Sequence, residues 1–342
     1  MTIFSVNIKN KNSQVVIFCL LFLVVLFLFG LRDKIGSDWE SYKVYYLFSW
    51  KDKIDSISDI GFNLLSQFFY NIGVSFNYFI FFVMFIMLFP IFIISKKYKY
   101  SILVLFLYST LYLPSLMGLM RQAIAVSFCL VAVDNLYRNN NKNYFIYLII
   151  AATFHVSALV VVFLYFFKKL KINLSLIIIS FLMSFLLNIF LYYMLPQILV
   201  SNDIWTHDVK IYFTYYNVDA PYVNKEIYSF LLMYVQKIIF LIYFHYYVTK
   251  ICYNERFYFY FKIYFFSLIF NSFFILSLPI LAIRGSIYFS IVEIFLLAYS
   301  CEKYKYRNVA VLLVLTFGGV KFFKILYSSY NQFVPYQFFT LL

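Results

Sequence analysis

The chain has 342 residues, of which 64% are hydrophobic and 12% charged, and it carries a net charge of +14. So little charge excludes a water-soluble globular domain. The positive balance does not point to nucleic acid, because basic residues of a multispan chain collect in its cytoplasmic loops.

In chain order, residues 1–13 are polar and precede a first apolar run, 14–31. Arg32-Asp33-Lys34 follows it in place of a small-residue cleavage site, so the run reads as a retained span. Segment 32–75 holds five basic and six acidic residues and two aromatic stretches, Trp39–Trp50 and Ile60–Ile72, with helical apolar spacing. Further spans are expected at 76–95, 101–113, 120–137, 174–195, 227–248, 258–281, 286–300 and 308–326. Each apolar run is read as a helix across a hydrocarbon core of ~30 Å. A second long loop covers 196–226, and Pro279 to Gly285 reads as the turn between the seventh and eighth spans. The fold class is all-α: a polytopic helical bundle of about nine spans, with residues 1–342 as a single transmembrane domain.

Basic clusters set the orientation. Lys96–Lys99, Arg138 with Lys142, Lys168–Lys171, Lys250 with Arg256, and Lys303–Arg307 all belong on the cytoplasmic side with the N-terminus. Successive clusters must then be separated by an even number of crossings. Segment 143–167 breaks this rule if it crosses once and keeps it as a re-entrant hairpin of two ~11-residue arms, each ~16 Å long. Its natural tip is Thr153–Ser157. Loops 32–75 and 196–226 then lie on the extracytoplasmic side, together with the hairpin tip and the residues around 121 and 284.

Charged and titratable groups in apolar helix are expensive and therefore informative. Arg121 and Gln122 open one span, and a guanidinium at a helix N-terminus suits a phosphate or diphosphate. Arg284 lies in a Pro- and Gly-marked turn on the same expected side. His155 has the chemistry of a general base near neutrality. Among the loop acids (Asp33, Asp38, Glu40, Asp59, Asp203, Asp208, Asp219, Glu226), Asp38 is the preferred alternative base. Trp39 and Tyr42 beside it suit sugar rings. Lys237 and Glu293, near the middle of two spans, fit a structural ion pair. Cys19, Cys129, Cys252 and Cys301 show no metal or disulfide spacing. No metal site or cofactor is expected.

Two blocks, Leu119-Met120-Arg121-Gln122-Ala123-Ile124-Ala125 and Ala151-Ala152-Thr153-Phe154-His155-Val156-Ser157-Ala158, resemble the EpsG/Wzy family of bacterial polysaccharide polymerases. Gly36-Ser37-Asp38-Trp39-Glu40-Ser41-Tyr42 is similar to that family's Gly-x-Asp-(Tyr/Trp)-x-x-Tyr. Asp59-Ile60-Gly61-Phe62 resembles its Glu-x-Gly-Phe, with Asp in place of Glu, and the Arg284 turn and Val334-Pro335-Tyr336 also fit. The resemblance implies a multi-pass glycosyltransferase of the bacterial inner membrane, with its active site extracytoplasmic. It would join undecaprenyl-diphosphate-linked repeat units of O-antigen, capsule or exopolysaccharide. His155, Asp38, Arg121 and Arg284 are the catalytic candidates. Gln122, Trp39, Tyr42, Asp59 and Tyr336, with both arginines, are the substrate-binding ones. The implied partners are lipid-linked oligosaccharide as donor and acceptor, membrane lipid, and the chain-length regulator and flippase of the same route. The alternatives are a flippase of lipid-linked oligosaccharide and an O-antigen ligase-like transferase.

Overall fold

In a hydrocarbon layer backbone groups find no water, and a helix satisfies them internally; the described elements are helical throughout. The computed structural model describes residues 11–48, 59–201, 227–303, 306–328 and 330–339. Among them the α-helices are α1 (Lys11–Gly30), α2 (Trp39–Phe48), α3 (Ile60–Asn71), α4 (Phe76–Ser95), α5 (Ser101–Leu111), α6 (Leu113–Met117), α7 (Met120–Tyr137) and α8 (Asn141–Phe154). After a 3-10 segment, Val156–Val162, come α9 (Phe163–Phe167), α10 (Leu174–Ser201) and α11 (Ile227–Tyr246), which a π turn, Tyr247–Ile251, extends. The last are α12 (Glu255–Phe274), α13 (Pro279–Ser290), α14 (Glu293–Lys303), α15 (Arg307–Ser328) and α16 (Tyr330–Phe333). Asp203, Asp208, Asp219 and Glu226 lie outside the described residues.

Among the described residues five helices are long and apolar enough to cross a membrane, Asn12–Gly30, Phe76–Ser95, Leu174–Met194, Glu255–Phe274 and Arg307–Ser328, and the bent pair Leu281–Ser290 with Glu293–Glu302 makes a sixth if it is one span. This is a membrane protein. Two of the other expected spans are shorter or more polar, whereas the one at 227–248 is an apolar helix of 20 residues, Ile227–Tyr246. Helix α5 has 11 residues, or ~17 Å at 1.5 Å per residue, and α7 includes Arg121, Gln122, Asp134 and Asn135.

The helices cluster into two compact units, Met1–Val162 with Leu297–Leu342, and Phe163–Leu296. In the first, α7 is the central helix. Its small residues Ala123, Ala125, Ser127 and Ala132 are fully buried. Small side chains let backbones approach closely, which is how helices associate where lipid removes the hydrophobic drive. The Ser127 hydroxyl accordingly reaches the Met87 carbonyl on α4 at 2.7 Å. At one end of α7, Asp134 Oδ2 accepts from Lys97 (2.7 Å) and pairs with Arg138 (3.1 Å). The basic ends of α4 and α7 therefore share one side. Arg121 is 13 residues earlier on α7, or ~20 Å along the axis.

Helix α8 ends at Phe154, and His155 is extended (φ −160°, ψ 116°). The chain then doubles back, because the Tyr144 hydroxyl donates to the Val161 carbonyl at 2.6 Å. In one continuous helix those residues would stand ~25 Å apart. The arms are longer than two ~16 Å half-crossings: α8 alone has 14 residues, or ~21 Å. The tip at His155 is thereby carried to the end of α7 that bears Arg121.

In the second unit, Asn188 of α10 is buried and accepts from the Ser277 amide (3.2 Å) and hydroxyl (3.1 Å). The Lys237 ammonium on α11 donates to the Ser286 hydroxyl on α13 at 3.1 Å. The turn expected at Pro279–Gly285 is helix instead. Proline at the first position of α13 gives up an N–H that has no partner there anyway, and the helix continues through Arg284 and Gly285 to Ser290. Gly285 serves packing, since a Cβ there would collide with the Phe270 ring. The chain breaks later, at 291–292.

Candidate active site

Helix α3 begins with an unusual residue. Asp59, its N-cap, is left-handed (φ 65°, ψ 31°) and makes no side-chain cap to its own helix. Its carbonyl still accepts from the amides of Phe62 (3.0 Å) and Asn63 (3.1 Å). Left-handed backbone costs an L residue roughly 1–2 kcal/mol, and Asp tolerates it better than most. The result is a carboxylate turned away from α3 towards two distant residues. Asp59 Oδ2 accepts from Arg121 Nη1 at 2.6 Å, and Oδ1 lies 3.1 Å from His155 Nδ1. The carboxylate is buried (7% exposed), whereas Arg121 and His155 remain accessible at 42% and 35%.

Gly61 makes this approach possible. A Cβ at 61 would sit 2.6 Å from Thr153 Oγ1 and 3.1 Å from the Thr153 backbone carbon. Only a glycine lets the first turn of α3 lie against the end of α8, which brings Asp59 to His155. Phe62 next to it is buried and packs edge-on against Tyr42 (centroids 5.6 Å) and Phe79 (5.8 Å), tying α3 to α2 and α4. On the other side of His155, Phe154 stacks on Phe128 of α7 at 5.8 Å. The Asp-Ile-Gly-Phe and Phe-His segments are thus two halves of one joint.

Arg121 also faces the Tyr42 ring, with 5.9 Å between guanidinium carbon and centroid. Burial raises the Tyr42 phenol above its ordinary range despite the neighbouring arginine, which keeps it neutral. Below Arg121, the α6–α7 turn is held by Arg32. This guanidinium is buried and donates to the carbonyls of Phe29 (3.0 Å), Ile35 (3.2 Å) and Met117 (3.2 Å). It satisfies an orphan carbonyl at the end of α1 and clamps the following loop onto Met117. Burial lowers its pKa to about 10, so it stays charged at neutral pH. In the same loop Gly36 has φ +110°, and a Cβ on Gly118 would collide with Ser37.

The C-terminal tail closes over this loop. Asp33 N donates to Gln337 O (2.9 Å), Gly36 N to Gln332 O (3.2 Å) and Phe339 N to Leu31 O (3.0 Å). The Tyr336 hydroxyl is bonded to the Leu28 carbonyl. Tyr336, expected to bind substrate, therefore fastens the tail to α1.

A family model described as EpsG family matches residues 15–338. The chain belongs to the EpsG family. No curated protein and no solved structure matches it. The EpsG-like segments noted in the sequence meet in the first unit: 36–42, 59–62, 119–125 and 151–158 all contribute to the joint around Asp59 or to its support.

Other expected site residues are placed differently. Trp39 is 2% exposed and packs edge-on against Phe76 at 5.2 Å, so it is wall, not a free sugar platform. Gln122 is buried within the bundle. Asp38 stands one turn before Tyr42, whose amide its carbonyl accepts at 2.9 Å. Among the described residues no bond joins the Asp38 carboxylate to the Asp59 group. Arg284 belongs to the second unit, where it is exposed within α13. No group of three or more His, Cys, Asp or Glu is gathered for a metal among the described residues. Sequence reasoning passed over Arg32 as an ordinary charge after a span; only its three carbonyl partners reveal its role.

Proposed function

We propose that the chain is a membrane glycosyltransferase that polymerises lipid-linked oligosaccharide repeat units, with the Asp59–Arg121–His155 group as its reactive centre. Family membership supports the class of reaction, and the observation that carries the reading is the shared carboxylate. A neutral imidazole has one N–H and one lone pair. Asp59 only accepts, so Nδ1 holds the hydrogen, and Nε2 presents its lone pair outward. Orienting an imidazole through a buried aspartate is an established way to make a general base.

The transfer then proceeds as follows. His155 Nε2 takes the proton of the acceptor hydroxyl while that oxygen bonds to the anomeric carbon of the donor. The bond from that carbon to the diphosphate oxygen breaks, and the electron pair leaves with undecaprenyl diphosphate. Arg121 gives one nitrogen to Asp59, is shared with the neighbouring Tyr42, and still exposes part of its guanidinium to the departing diphosphate, where a fixed cation stabilises developing charge. The Lys97 and Arg138 cluster marks the opposite end of α7. By the positive-inside rule that reading puts the Asp59 end on the extracytoplasmic face of the bacterial inner membrane.

The test is purified protein in lipid with the lipid-linked repeat unit of its host. Ladders of lipid-linked polymer are expected, lost in His155→Ala and Arg121→Ala proteins that insert normally. Full-length polymer from either variant would overturn the assignment, and transbilayer movement of unchanged substrate would favour the flippase.

A further inference from the structure

Beside the reactive centre the first unit holds a second concavity that the transfer does not use. It is an open cleft of about 650 Å³ between the loop after α1, helix α2 and the turn joining α3 to α4. That volume lies within the ~300–1,000 Å³ of ordinary ligand pockets. Asp33 and Lys34 form one side, Lys43 and Tyr46 another, and Tyr70 and Asn77 border the third.

Its walls are preformed. The Tyr46 side chain is buried, its hydroxyl donates to the Val74 carbonyl at 2.7 Å, and its ring stacks on Phe79 at 4.8 Å. The Asp33 side is held by the C-terminal tail through the Gln337 carbonyl. Against this frame the open groups are polar and aromatic. Tyr70 is exposed and stands edge-on to Tyr46 at 5.8 Å. Lys34 is exposed, and the Lys43 ammonium lies 5.1 Å from the Trp39 ring centroid. Neither lysine is ion-paired among the described residues, and the two share the cleft's lining with one carboxylate, Asp33.

Position decides what such a cleft is for. Helix α2 has ten residues and turns roughly 100° per residue. Tyr42 and Tyr45 on one flank are within reach of the charge of Arg121. Lys43 and Leu47, on the other flank, line the cleft. One short helix therefore separates the two. A lipid chain has no use for a cleft with two ammonium groups, whereas an oligosaccharide offers hydroxyls to polar edges and C–H faces to a tyrosine ring. Acidic groups on the sugars would meet the lysines in charge-assisted hydrogen bonds.

We infer that this cleft is a glycan subsite that binds an acidic oligosaccharide, the part of the substrate remote from the diphosphate. The inference rests on the polymerase reading. Its test uses the full chain in detergent and oligosaccharide fragments cut from the host's own surface polymer, as isolated and after reduction of their carboxyl groups. Binding of the native fragments should weaken about tenfold or more in Lys34→Gln/Lys43→Gln. Carboxyl reduction should weaken it similarly, and Arg121→Ala should leave it unchanged. Equal binding by the double variant, or no binding by the parent protein, overturns the subsite even if polymer ladders form. Reduced fragments that bind as tightly as native ones overturn its acidic specificity. Lysine-dependent binding by a protein that makes no ladders would keep the subsite and remove the polymerase.

Discussion

Two aspartates in the first unit carry similar chemistry to different ends. Asp134, on α7, gives one oxygen, Oδ2, to both Lys97 and Arg138. Asp59, at the other end of the same bundle, divides its oxygens: Oδ2 to Arg121 and Oδ1 to His155. The first carboxylate gathers two cations that reach it from adjacent basic loops and sits in relaxed helix. The second is held in left-handed backbone and joins residues 62 and 96 positions away. Strain of this kind survives only where the surroundings over-determine it, and it concentrates at working sites. The comparison teaches that a buried acid between basic groups is not itself a site. What distinguishes Asp59 is that one partner is an imidazole that stays accessible, 35% exposed.

The largest effect should follow from removing that imidazole. His155→Ala is expected to lower polymer formation by about 10²–10⁴-fold, the usual share of a general base, at unchanged membrane insertion. Timed ladder assays on equal amounts of inserted protein would show it; an active His155→Ala protein would put Asp59 in the same class as Asp134. Asp59→Asn should follow, with a loss of about 10²-fold or more, because an amide can donate to Nδ1 and favour the wrong tautomer. Substrate binding measured separately should change less than turnover.

Gly61→Ala probes the joint without touching the charges. Its Cβ would press on Thr153, and overpacking of this sort costs typically ~1–3 kcal/mol. We expect lower thermal stability in detergent and about tenfold less activity, both partly restored by Thr153→Ala, which removes the nearest clashing atom. Failure of that rescue would show that glycine is needed at 61 for another reason. Asp134→Asn should have the smallest effect. Lys97 and Arg138 are partly exposed and can turn to solvent once the carboxylate is gone. Melting should shift slightly, and activity per inserted molecule should hold. A large activity loss there would erase the contrast between the two ends.

Much of this arrangement is legible in the sequence. Basic clusters and the even-crossing rule led to a fold-back at Thr153–Ser157, and the chain does double back at His155. Arg121 and His155 were expected on one side and share one carboxylate. Asp59 as their link was not readable, because nothing local records a bond across 62 or 96 residues. Trp39 misled for a related reason: an aromatic beside acids reads as a sugar platform, yet helix phase against Phe76 puts it inside. Pro279 misled because proline marks the first turn of a helix as readily as its end.

The clasp between residues 31–36 and 332–339 has a consequence for how the protein is made. The loop that steadies the α6–α7 turn is made before the Asp59, Arg121 and His155 segments, and the backbone that closes over it, residues 332–339, is made after all of them. During synthesis the Asp59, Arg121 and His155 segments all precede Phe339 out of the ribosome. The closure over this loop therefore forms only once residues 332–339 have been made. A nascent chain would thus lack this closure until residues 332–339 emerge.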